Sequence, residues 1–173
     1  MINIRIIIFL LVGTLLLFLL LRFQGNNLVT PYSPKGIVSL ELAGNEPATT
    51  TIISGWQNDG RGHSLRNNLL IDFLFIPFYV MLFYTLCGSI SVRLDSIAAK
   101  LGVLLAFFIL IGGAFDVLEN LLMMLAYLGI YNTLTVKATY SFAILKFILI
   151  SLSIIYVIVF GSVVIRMKLS RHK

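Results

Sequence analysis

Four stretches of the chain stay apolar for long enough to cross a bilayer as helices: residues 4–22, 66–90, 97–128 and 140–165. About 20 apolar residues in a helix match the roughly 30 Å hydrocarbon core of a membrane. The expected fold is therefore all-α, a polytopic membrane protein built as a four-transmembrane-helix bundle in one domain. A long extracytoplasmic loop, residues 23–64, joins the first helix to the second and packs on the bundle. Composition points the same way. Hydrophobic residues make up 59% of the chain and charged residues 12%, where soluble domains run to about half and about a quarter.

The first run is flanked by Arg5 and Arg22 and has the basic start of a signal peptide. No small-x-small cleavage site follows it, so it reads as a retained first span. Arg166, Lys168, Arg171 and Lys173 follow the last run and read as a cytoplasmic anchor beside anionic lipid. They account for much of the net charge of +6, and nucleic acid is not an expected partner. Arg5, Arg93 and Lys100 share their side of the membrane. Arg22, Lys35, Arg61, Arg66 and Lys137 lie at the opposite ends. The dense tail favours both termini in the cytoplasm of the cell (inner) membrane. Cys87 is the only cysteine, which excludes an intrachain disulfide or a cysteine metal cluster.

The loop is rich in Gly, Asn, Pro, Ser and Thr and is too short to hold a core of its own. Ile37 to Ala43 reads as a short extended or helical piece. Asn45-Glu46-Pro47 has the form of a helix start, with an Asn cap and Pro in the first turn. The β-branched residues that follow leave a strand open, but a helix is favoured. Trp56 suits a membrane–water interface.

The third run contains Gly112-Gly113-Ala114-Phe115-Asp116-Val117-Leu118-Glu119-Asn120. Ionisable residues at membrane depth are costly, about 2.5–3.5 kcal/mol each on insertion scales, so they face protein or water and mark candidate sites. At 100° per residue, Ala98, Gly102, Ile109, Gly112, Gly113, Asp116, Glu119, Asn120, Met123 and Tyr127 share about a third of the helix circumference. Small residues beside polar ones make a packing face, because glycine lets a neighbouring helix approach. The second run carries Asp72, with Asn68 and Tyr79 near its face, and Pro77 should kink it. The fourth carries Lys146, with Ser153 on nearly the same face.

Antiparallel order brings these residues to one depth. At 1.5 Å per residue, Asp72 and Lys146 lie roughly 9 Å below the outer ends of their helices, and Asp116 and Glu119 roughly 13–18 Å below theirs. Asp72, Asp116, Glu119, Asn120 and Lys146 thus form the expected cluster, with two formal negative charges in excess. Three remedies exist: a protonated carboxylate, a bound cation or amine, or a loop cation such as Arg61, His63 or Arg66 folded over the acids. Glu41 and Trp56 are further candidates to cap the site. The alternative role for Asp116, Glu119 and Asn120 is a polar network joining helices. For Asp72 it is a solvated first-turn acid, and for Lys146 a side chain snorkelling to the interface.

The donors are oxygens without a convergent His pair, which suits a hard cation better than zinc or copper. No metal site is assigned. The sequence holds no Walker loop, dinucleotide glycine motif or c-type haem motif, so the cofactor is unknown. The segments Leu40-Glu41-Leu42-Ala43, Asp72-Phe73-Leu74-Phe75-Ile76 and Asp116-Val117-Leu118-Glu119-Asn120, with Lys146, are scattered over most of the chain. In these the sequence resembles small bacterial four-span membrane proteins of uncharacterised function. The resemblance implies a bacterial membrane location and four helices, and no activity.

The leading expectation is a non-enzymatic membrane protein whose outer-half polar site binds a small cationic or lipid-like ligand or seats a partner helix. The alternative is a membrane-embedded enzyme acting on a lipid or amphiphile at the outer leaflet, its carboxylates doing acid–base work. A proton- or cation-coupled transporter subunit comes third, because four helices without a repeat would have to oligomerise to form a pathway. Expected partners are the bilayer, a lipid or small cation, and either a second copy or another membrane protein.

Overall fold

A computed structural model of the chain describes residues 4–95 and 97–170. Ser96, in the connection between the second and third spans, and Arg171 and Lys173 of the basic tail lie outside the described residues. The described chain is helical throughout, with no strand beyond one isolated bridge between Thr30 and Ser33. Four helices are long and apolar enough to cross a membrane. They are α1 (Ile4–Gly25), α4 (Gly62–Ser91), α5 (Ile97–Tyr127) and α6 (Thr133–Ser170). Between α1 and α4 lie a short 3-10 turn (Asn26–Leu28) and two further helices, α2 (Ile37–Glu41) and α3 (Glu46–Asn58).

Helix α5 is the centre of the bundle, packed on α4 and α6, while α1 packs principally on α4. Its buried residues are Gly102, Ala106, Ile109, Gly112, Gly113, Asp116, Glu119, Asn120, Met123 and Ala126. Eight of the ten residues expected on this face from helical phase are among them; Ala98 and Tyr127 are half-buried instead, and Ala106 and Ala126 complete the face. In lipid, apolar side chains gain little by leaving the tails for one another, so close backbone approach and polar contacts hold such helices together. Helix α1 has no such face, and none of its residues is buried. Cys87 is buried with Ile90, Ala106 and Tyr156 toward the other end of the bundle.

Helix α4 runs unbroken through Pro77. Helix α6 begins at Thr133, several residues before the expected start near residue 140. The Asn132 side chain is the reason. Its Oδ1 accepts from the backbone N–H groups of Leu134 and Thr135, each at 3.0 Å, and so caps the first turn. Residues 133–139 are more polar than the span that follows them, and a capped helix can project beyond the membrane.

The segment between α1 and α4 builds its core jointly with the ends of α4 and α5. Leu28, Leu40, Ile52, Ile53 and Trp56 pack with Leu65, Leu69, Met123 and Ala126. The Asn45 cap forms as expected, its Oδ1 accepting from the Ala48 N–H at 2.9 Å, and α3 is a helix rather than a strand. Trp56 is 1% exposed. Its Nε1 donates to Leu28 O and to Ser33 Oγ, both at 3.0 Å. The ring is therefore a core residue of the loop rather than an interface marker. Trp56→Phe is expected to lower stability by about 0.5–1.5 kcal/mol, because Ser33 Oγ still satisfies the Leu28 carbonyl. Thermal unfolding in detergent measures this, and an unchanged melting temperature would remove the hydrogen bonds from the account.

Gly36 sets the direction of α2. It precedes the helix at φ 60° and ψ −131°, a conformation strained for any residue with a Cβ. The chain turns there, and α2 ends at Glu41 over the bundle.

Candidate functional site

Helix α6 supplies the centre of the site. Lys146 is 4% exposed, with its ammonium inside the bundle rather than at an interface. Its Nζ donates to Asp116 Oδ1 at 2.7 Å and lies 2.9 Å from Glu119 Oε2. Glu41 Oε1 of α2 is 3.7 Å from the same nitrogen. From α4, Tyr79 Oη donates to Asp116 Oδ2 at 2.7 Å. Four separate helices thus contribute to one ion cluster. Helix α4 approaches α5 closely at Gly113, where an added Cβ would lie 2.5 Å from Val80 Cγ2. That approach, one residue from Tyr79 and three from Asp116, permits the tyrosine–carboxylate bond.

Asp72 and Asn120 form an adjoining pair. Asn120 Nδ2 donates to Asp72 Oδ2 at 2.6 Å. Asn68, one turn earlier, faces α1 instead, donating to Gln24 Oε1 at 2.7 Å. The structure therefore brings Asp116, Glu119 and Lys146 into direct contact and sets Asp72 and Asn120 beside them.

The loop candidates divide. Glu41 reaches the cluster. Trp56 stays in the loop core, and His63 and Arg66 are exposed on the first turns of α4. Arg61 is also turned elsewhere, its Nη1 donating to Asn27 O at 2.7 Å. The loop thus adds a fourth carboxylate and no counter-cation. Around Lys146 and Asp72, Glu41, Asp72, Asp116 and Glu119 face one ammonium, three formal negative charges in excess.

Several polar atoms here have no hydrogen-bond partner among the described residues. They include Glu41 Oε2, Glu119 Oε1 and Asn120 Oδ1, all buried. A buried acceptor left unmatched costs about 1–3 kcal/mol, more when charged. Burial pushes the Glu41 carboxyl above its ordinary value near 4.5; Lys146 pulls it back and Asp116 raises it further. The folded state therefore holds this proton more tightly than the unfolded chain. The resulting stability is fully present below the ordinary value and lost as pH rises through the raised one. Thermal stability is expected to fall from acidic toward neutral pH, with a shallower fall in Glu41→Gln. Equal slopes in the two proteins would contradict this.

The cluster forms the floor of a cleft of about 220 Å³. Its walls include Phe18 and Leu21 of α1, Phe75 of α4, and Phe147 and Ile150 of α6. Val29, Ile37 and Val38 close it from the loop, and Arg22 and Lys35 also line it. Asp72, Tyr79, Asp116 and Lys146 line the interior, while Glu119 lies behind them. Because α1 packs on α4 and not appreciably on α6, the cleft lies between α1 and α6.

No protein-family model matches the chain, and no curated protein and no solved structure matches it. The chemistry of the site is read from its own atoms.

Arg22, Lys35 and Tyr79 were absent from the expected set. Tyr79 was visible as a face-mate of Asp72, seven residues on and so two turns away. Arg22 and Lys35 carried no local signal beyond their charge near the end of the first span. Only the closure of the loop over α1 brings them to the cleft.

Proposed function

We propose that this four-helix membrane protein binds an amphiphile with a cationic headgroup in the cleft between α1 and α6. The observation that carries this reading is the excess of carboxylates at the base of an apolar-walled cleft, with buried Glu41 Oε2 unmatched there. An ammonium group would supply the missing positive charge and hydrogen-bond donors. Ligand pockets for drug-sized molecules run to about 300–1,000 Å³, so a cleft of about 220 Å³ suits a headgroup better than a whole lipid. The apolar part of the ligand would then lie along Phe18, Phe75 and Phe147 and continue into the bilayer.

In the proposed topology both termini are cytoplasmic, the loop with α2 and α3 is extracytoplasmic, and the cleft opens in the outer half of the membrane. Lys and Arg placement supports this orientation.

Asp72 is the carboxylate most suited to a test, because it lines the cleft without touching Lys146. Asp72→Asn is expected to weaken binding of dodecylamine by about 10- to 100-fold, the value of one hydrogen bond to a charged group. Titration in a non-ionic detergent, with decyl sulfate as the anionic control, measures this. Equal dodecylamine affinity in the two proteins, or a preference for the sulfate, would contradict the reading.

A further inference from the structure

The cleft has two zones of opposite sign. Its floor carries Glu41, Asp72 and Asp116, of which Glu41 and Asp116 are 6% and 3% exposed. Lys146 is already engaged by Asp116, Glu119 and Glu41. Arg22 and Lys35 lie at the rim. Arg22 is in the last turn of α1, Lys35 immediately precedes Gly36, and both are exposed. A headgroup with a single positive charge would match the floor but pass two cations to reach it. A purely anionic headgroup would match the rim and be repelled by the floor. Complementarity to both zones requires both signs, with the positive end leading.

We propose that the headgroup is a phosphoamine carried on a lipid: its ammonium enters the acidic floor beside Asp72 and the unpartnered Glu41 Oε2, and its phosphate rests on Arg22 and Lys35. This deepens the amphiphile reading and rests on it. Arginine and lysine both donate to phosphate oxygens through charge-assisted hydrogen bonds, arginine in a planar fork. The aromatic walls at Phe18, Phe75 and Phe147 favour a lipid as the bearer over a free phosphoamine.

The test compares phosphatidylethanolamine, phosphatidylglycerol, dodecylamine and water-soluble glycerophosphoethanolamine, using the full-length protein and its Arg22→Gln/Lys35→Gln variant. Both substituted side chains are exposed, so the fold is expected to be retained. Phosphatidylethanolamine is expected to bind the unaltered protein tightest. The double variant should lose about tenfold or more for it, while dodecylamine binding holds or strengthens because the two rim cations it must pass are gone. If dodecylamine binds as well as phosphatidylethanolamine, or the variant leaves phosphatidylethanolamine unaffected, the phosphate assignment falls and the cationic-amphiphile reading stands. If phosphatidylglycerol equals phosphatidylethanolamine, the amine assignment falls. If glycerophosphoethanolamine binds as tightly as the lipid, the lipid is overturned as the bearer. If neither amine-bearing amphiphile binds, both readings fall.

Discussion

Lys146→Met is expected to cost about 3–5 kcal/mol, the usual penalty for removing one partner of a buried ion pair. Against total stabilities of about 5–15 kcal/mol, that is enough to melt the protein well below the wild-type temperature or to prevent its accumulation. The reason is the geometry around Nζ. Asp116 at 2.7 Å, Glu119 at 2.9 Å and Glu41 at 3.7 Å share this one ammonium, and Glu119 is 0% exposed. Without the lysine, these acids face one another inside the bundle. Neutralising them in the same background, with Asp116→Asn and Glu119→Gln, should recover part of the loss. The single changes would then be non-additive, as expected for side chains in contact. Thermal unfolding of the lysine variant and the triple variant measures both effects. A Lys146→Met protein as stable as wild type would remove the ion cluster from the account of the fold.

The two adjacent glycines of α5 should respond in opposite ways to alanine. At Gly113 the new Cβ would meet Val80 Cγ2 at 2.5 Å. Val80 is buried and β-branched, with little freedom to turn aside. Gly113→Ala is therefore expected to push α4 from α5 and cost about 1–3 kcal/mol. It should also stretch the bond from Tyr79 to Asp116 and loosen the cleft floor. At Gly112 the nearest atoms belong to Leu149 at 3.5 Å, an ordinary contact. Gly112→Ala should be neutral or stabilise the helix by about 0.5–1 kcal/mol. Melting temperatures of the pair decide it, and equal behaviour of the two variants would contradict the close approach.

What could be read from the chain follows from which forces act locally. The four spans are legible because stretches of about 20 mostly apolar residues, with few charges among them, admit little else. The buried face of α5 is legible because helical phase is fixed by geometry, and Gly112, Gly113, Asp116, Glu119 and Asn120 all lie on it. Antiparallel order and rise per residue were enough to set Asp72 and Lys146 at the level of the α5 acids. The loop was harder. Glu41 sits on a five-residue helix whose position depends on Gly36 and on a core shared with α4 and α5, so sequence periodicity carries no information about its direction. A cation folded in from the loop is one of three remedies for the acidic surplus, and Glu41 is a candidate cap beside it. In the structure His63 and Arg66 point outward from the first turns of α4, and the loop delivers another carboxylate. That outcome is what turns a polar network into a candidate site, because it widens the charge imbalance that a ligand would correct.

Native mass spectrometry of the protein extracted gently from its own membrane tests the central claim most directly. A single amphiphile of defined mass, bearing an amine, is expected to remain bound to the wild-type chain and to be lost from Asp72→Asn. A wild-type spectrum with no retained amphiphile, or the same adduct at the same occupancy in the variant, would contradict the cleft as a binding site.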